Sequence, residues 1–267
     1  MEQSGELKKR RVIAVISPKG GVGRSAVSCL LALAFHKRGR KVLLMDLHPT
    51  IPTQDLYFGL EDGVLFGFSD LFAGKDALQV LTAATADGRL MLCPCGATVL
   101  PSKEEILQEI ERLALLTDAE IVILDLPSDA PYTLYCAGKA EIALIVSTAD
   151  PTALVGAQNA SEQLAVQDTT EGCPRDGKIF LLLNRFPLEQ AGQPHMRPHR
   201  MIDEVARPLI GILPEDGELA SFLNRGEATN LSEDALCPIL NVAARLEGEQ
   251  RLLFEGMKEG KRFRRAL

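Results

Sequence analysis

Residues 11–25 read RVIAVISPKGGVGRS, an apolar run that stops at a glycine-rich bend. Consecutive apolar and β-branched residues at 12–16 suit a strand covered on both faces. Gly20, Gly21 and Gly23 let the backbone curl so that successive N–H groups converge on an anion. The helical pattern at 25–38 would add the positive end of its dipole at the same place. A glycine bend between such a strand and such a helix is the pattern of a phosphate-binding loop. Ser25 stands where such a loop supplies a hydroxyl to Mg2+.

Six further apolar runs follow at 41–46, 89–93, 120–125, 141–147, 178–184 and 208–214. Helical patterns fall between or after them, at 103–116, 153–165 and 234–246. Strands separated by helices imply right-handed crossovers and a mainly parallel sheet. The expectation is one doubly wound α/β domain over 1–250, with about seven strands and helices on both faces, followed by a distinct segment at 251–267. Asp46 and Asp125 both end strands, at the carboxyl edge where open parallel sheets bind ligands. Two carboxylates there, with Ser25, would hold the hydration shell of Mg2+. Residues 168–178 and 187–199 read as surface loops.

Composition narrows the function classes. The 267 residues are 46% hydrophobic and 24% charged, proportions that exclude a disordered or fibrous chain. A net charge of −7 argues against coating nucleic acid. Residues 1–11 carry no apolar signal segment, which argues against export. The six cysteines are scattered, as free thiols in a reducing cytoplasm would be. Cys93-Pro94-Cys95 lacks the second Cys/His pair that a zinc site requires, and His195 and His199 read as solvated loop residues.

Lys19-Gly20-Gly21-Val22-Gly23-Arg24-Ser25 resembles the deviant Walker A motif of the ParA/MinD group of P-loop ATPases. The likeness continues along the chain. Asp46-Leu47-His48 resembles that group's Asp-x-Asp segment, and Asp55 to Leu60 its D-L-x-x-G-L. Asp125-Leu126-Pro127 resembles the end of Walker B, while Asn184-Arg185-Phe186 and the segment around Pro214 resemble the adenine-facing stretches. The resemblance implies ATP or ADP with Mg2+, cradled by residues 19–25 together with Ala26, Asn184 and Pro214. It also implies a face-to-face homodimer in which Lys19 reaches the partner's phosphates, and a regulatory or scaffold protein partner. Its members position cell structures: the division site as in MinD, flagella as in FlhG, or pilus machinery as in the CpaE/TadZ group. DNA binding of the ParA kind fits poorly with an acidic chain.

Two positions depart from the motif. Arg24 replaces its second lysine, exchanging a compact ammonium for a planar fork. His48 replaces the Asp that positions the attacking water, and a neutral imidazole lacks its fixed charge. With Lys19, Arg24, Asp46 and His48 as the catalytic set, hydrolysis is expected to be weak or absent. A fully active ATPase and a nucleotide-independent scaffold are the alternatives.

Residues 251–267 carry six Lys/Arg against two Glu. As a helix, Leu252, Leu253, Met257, Phe263 and Leu267 would share one broad face, with Lys258, Arg262 and Arg265 off it and Arg264 on the apolar side, an imperfect amphipathic pattern. Leu253, Phe254, Met257, Lys261, Phe263, Arg264 and Leu267 are the segment's candidate membrane contacts. It resembles the membrane-targeting helix of MinD, implying a cytoplasmic protein peripheral on the inner face of the cell membrane. The competing reading is a terminal segment packed on its own domain or frayed at Gly256 and Gly260.

Overall fold

The computed structural model describes residues 10–49, 51–96, 101–170, 178–191 and 193–257, without the side chains of 167–170. The first half contains β1 (Arg11–Ile16), α1 (Arg24–Lys37), β2 (Val42–Asp46), α2 (Gln54–Phe58), β3 (Thr82–Ala83), β4 (Leu90–Cys93) and α3 (Lys103–Leu116). After it come β5 (Ile121–Asp125), α4 (Thr133–Lys139), β6 (Ile142–Ser147), α5 (Pro151–Thr170) and β7 (Lys178–Phe186). The described residues end with α6 (Pro198–Val205), β8 (Leu209–Pro214), α7 (Gly217–Asn224) and α8 (Glu233–Leu246).

The strands form one eight-stranded sheet in the order β3-β4-β2-β5-β1-β6-β7-β8. All pairs are parallel except β3 with β4. The seven expected strands are all present. The eighth is a two-residue antiparallel edge, too short to leave a pattern in sequence.

Alternate residues of each strand point to opposite faces, so the buried side chains divide between two cores. Ala14, Ile16, Leu43, Met45, Val122 and Leu124 share a core with residues of α3, α4, α5 and α6. Ile13, Val15, Val42, Leu44 and Ile123 face the other core, filled by α1, α8 and the ends of α2 and α7. Helix α1 is covered almost all round, with Leu31, Ala32, Ala34 and Phe35 wholly buried. Such a helix needs no polar face.

The loop expected at 187–199 is more ordered than its composition suggests. Short 3-10 turns at Leu188–Gln190 and Pro194–Met196 lead into α6, and Ala191, Met196 and Met201 enter the core. His195 and His199 remain exposed. At the other end, α5 runs to Thr170, beyond the expected start of a loop at 168.

Residues 251–257 form turns and not the helix expected of them. Phe254 is buried, and Leu253 and Met257 pack against the same core. The Asn241 amide of α8 donates to the Glu255 carbonyl at 2.7 Å, fastening the segment down. These three side chains therefore face the domain here, which corrects their assignment to a lipid-facing helix. Lys261, Phe263, Arg264 and Leu267 lie outside the described residues. No described helix is long and apolar enough to cross a membrane.

Candidate functional site

The bend sits between β1 and α1 at the sheet's carboxyl edge. Gly21 and Gly23 hold φ of +80° and +84°, the left-handed region that favours glycine. A Cβ at Gly23 would lie 2.4 Å from Asn184 Nδ2, so that position is closed to side chains for a second reason. At Gly20 and Gly21 a Cβ would meet only open space, leaving the outer face of the bend bare for a ligand. The first N–H groups of α1 have no intrahelical acceptors and converge on the same space.

Two residues at the end of β7 clamp the bend from behind. Asn184 donates from Nδ2 to the Val22 carbonyl at 2.8 Å, and Arg185 from Nη1 to the Gly21 carbonyl at 3.0 Å. Asn184, Ala26 and Pro214 meet around a cavity of about 270 Å3, which also takes in Tyr57, Leu213 and Met257. The structure thus gathers the expected adenine-side residues beside the bend.

Lys19 stands at the rim, with its Nζ donating to Asp150 Oδ1 at 3.0 Å and to Thr152 Oγ1 at 2.6 Å. Its side chain remains 43% exposed. Asp150 and Thr152 were not singled out from sequence. Asp150 signals only the start of α5, where it accepts from the Thr152 and Ala153 amides.

Asp46 and Asp125 are partners in the parallel register of β2 and β5, and both are wholly buried. The 47–54 loop wraps Asp46, whose Oδ1 accepts from His48 N at 3.0 Å. Its Oδ2 accepts from Thr53 N at 2.8 Å and Gln54 N at 3.1 Å. Burial, and next the Asp125 charge, push the Asp46 carboxyl up to about 7 despite those donors.

Arg24 is the largest departure from expectation. Its guanidinium turns inward, Nε donating to Asp125 Oδ1 at 2.7 Å, with Nη2 3.4 Å from Ser25 Oγ. Asp125 Oδ1 also accepts from Ser28 Oγ at 3.2 Å, and Oδ2 from Gln54 Nε2 at 2.9 Å. Gln54 Oε1 is left buried without a partner. Neither Ser28 nor Gln54 lies in a motif, so no sequence signal pointed to them.

His48 accepts at Nδ1 from the Ile51 amide at 3.1 Å. That bond fixes the neutral ring with its proton on Nε2, so the ring can donate to a water but not take its proton. Burial, and next the nearby Arg24 cation, lower its pKa.

Ser25, Asp46 and Asp125 are the donor set expected for Mg2+. As arranged, Asp125 is occupied at both oxygens and a guanidinium lies between it and Ser25. The set does not fit a divalent cation in this form. Among the described residues no group of three or more His, Cys, Asp or Glu is placed to hold a metal. Cys93 and Cys95 are both buried, and burial pushes the Cys95 thiol up to about 12.

A family model described as the CobQ/CobB/MinD/ParA nucleotide binding domain matches residues 13–229. The chain belongs to that family. Within the MinD/ParA group, the septum site-determining protein MinD of Synechocystis sp. is 31% identical over 250 residues, covering 90% of each chain. A chain of the Aquifex aeolicus MinC:MinD cell division protein complex is similar with a TM-score of 0.79 at 26% identity. That match covers 91% of this chain and 98% of that one. MinD of Pyrococcus horikoshii, solved with Mg-ADP, shares the fold with a TM-score of 0.68 at 19% identity, over 90% and 96% of the two chains. The P-loop fold of the MinD/ParA family is therefore the frame in which the altered positions act.

Proposed function

We propose that this chain is an ATP-binding switch of the MinD/ParA kind that positions a cellular structure and hydrolyses ATP weakly or not at all. The observation that carries this reading is the inward turn of Arg24. A side chain bonded to Asp125 cannot also follow a γ-phosphate through transfer as the family lysine does, while the bare glycine bend still offers its amides to a nucleotide. The neutral His48, with Nδ1 already engaged, adds to the loss. Phosphoryl transfer relies chiefly on placement and charge, so both changes weigh on rate more than on binding.

Nucleotide then works by assembly. Lys19, exposed at the rim, would leave Asp150 and Thr152 for the phosphates of a second copy, closing a face-to-face homodimer. Relatives described as septum site-determining, and a similar chain solved with MinC, favour the division site over flagella or pili, with a regulatory protein docking on the dimer. The basic residues after Met257, with Phe263 and Leu267, would bring that dimer to the inner face of the cell membrane, two anchors binding by avidity.

Light scattering with ATP and with ADP, paired with an ATPase assay on anionic liposomes, tests this. The expected result is an ATP-dependent dimer with little turnover. Turnover like that of active family members, abolished by Arg24→Ala, would contradict it. Flotation unchanged on deleting residues 251–267 would remove the membrane role.

A further inference from the structure

We propose that the guanidinium of Arg24 is the resident cation of this nucleotide site, so that the chain binds nucleoside di- and triphosphates without a divalent metal. The inference rests on the nucleotide-binding reading above and goes beyond it.

Arg24 reaches Asp125 Oδ1 with Nε at 2.7 Å, and its Nη2 lies 3.4 Å from Ser25 Oγ. One planar cation therefore spans two of the three groups that the family's loop would offer to a metal. Ser28 belongs to the same arrangement. It donates to Asp125 Oδ1 at 3.2 Å and also to the Arg24 carbonyl at 3.2 Å, tying the carboxylate to the helix that carries the arginine.

Mg2+ keeps most of its water, and a carboxylate holds that shell by accepting from the bound waters. Asp125 Oδ1 accepts from Arg24 and Ser28 and its Oδ2 from Gln54 Nε2 at 2.9 Å, while three backbone amides donate to Asp46. Each carboxylate thus keeps one acceptor site of about four, so a hydrated ion would find few acceptors in this buried site.

Guanidinium stays protonated at any pH the protein meets, so its charge cannot be withdrawn to admit a metal. A divalent ion placed against Ser25 would face that fixed charge at close range and low dielectric. A lysine at position 24 is different. Its ammonium is compact, has no fork to hold Asp125 and Ser25 together, and leaves the carboxylate to the metal's waters. The phosphate negative charge that a metal would balance falls instead to the bend amides and to Lys19, while Arg24 neutralises Asp125 in the metal's place.

Calorimetric titration of the intact protein with ATP and ADP, in Mg2+ and again in EDTA, tests this directly. The expected dissociation constants agree within about threefold between the two media, a difference below one kcal/mol. Binding weakened about tenfold or more in EDTA would overturn the resident-cation proposal and leave the nucleotide switch standing. No heat in either medium would overturn both. Arg24→Lys, checked for a cooperative melt, is expected to make binding depend on Mg2+, and binding that stays indifferent to the metal would remove Arg24 from the role. A second measurement needs no variant. With Mn2+ as probe, adding wild-type protein to Mn2+ and ATP should not lower the free-Mn2+ EPR signal, and a fall in that signal would overturn the proposal.

Discussion

Arg24 and Asp125 pair at 2.7 Å although 101 residues apart, with the carboxylate wholly buried and the arginine side chain 9% exposed. Breaking such a pair from one side leaves an uncompensated buried charge. Arg24→Met is therefore expected to cost about 3–5 kcal/mol in urea unfolding of the free protein. Adding Asp125→Leu should recover part of that loss, because the stranded carboxylate goes with it. A double-mutant cycle in which the two losses simply add would show that the pair contributes nothing.

Gly23 has a narrower tolerance than its neighbours. Gly23→Ala places a methyl 2.4 Å from Asn184 Nδ2 and forces a left-handed alanine, which costs about 1–2 kcal/mol for the backbone alone. Stability should fall, and nucleotide binding should be lost as Asn184 is driven off the Val22 carbonyl. Gly20→Ala, with open space around its Cβ, should change stability by less than about 0.5 kcal/mol. Thermal melts and calorimetry of the two variants separate these outcomes.

Asp46 gives the free protein a pH dependence of defined sign. Its folded value near 7 lies above its ordinary value of 3.8, so between them the folded state binds more protons than the unfolded one. The contribution of this group to stability therefore falls as pH rises from about 4 to about 7. Melting temperature should decline from pH 5.5 to 7.5, and carboxyl 13C NMR should show one aspartate titrating near neutrality. An aspartate set titrating wholly below pH 5 would refute this.

Phe254 is buried while holding a φ of +61°, a conformation most side chains avoid. Its packing against the core helps to hold it there. Phe254→Ala keeps the strain and loses the packing, so a cost of about 3 kcal/mol is expected in denaturant unfolding. A cost within error would mean that residues 251–257 leave the domain readily.

Thiol chemistry should separate the cysteines by burial. Cys29, Cys93, Cys95 and Cys136 are buried, and desolvation raises each thiol, Cys136 to about 12. Alkylation of native protein followed by peptide mass spectrometry should leave all four unmodified, while Cys237, only partly covered, reacts first among the described cysteines. Rapid labelling of Cys93 or Cys95 would contradict the packing of β4.

Parallel strands buried on both faces leave unbroken Val, Ile and Leu runs, which is why β1, β2 and β4 to β8 could be read from sequence. The helix α6 could not, because its start lies in a stretch rich in Pro, His and Arg that has the composition of a loop. Its buried apolar residues Met201 and Val205 are four apart, with Ile202 beside them, too few to declare a period. In the site, Asp46 and Asp125 were legible as strand ends and the bend as a glycine pattern. Their partners were not. Arg24 invites a phosphate by its place in the motif, and its choice of Asp125 depends on the register that sets β5 beside β1. Gln54 carries no local signal, since only the loop around Asp46 turns its amide toward Ser25 and Asp125.

Met257, the last described residue, is also part of the wall around the cavity shared by Asn184 and Pro214. It stands two residues from the knot that Glu255 ties to α8. A ligand that fills the crevice therefore presses on a side chain of the segment that Asn241 fastens to the domain.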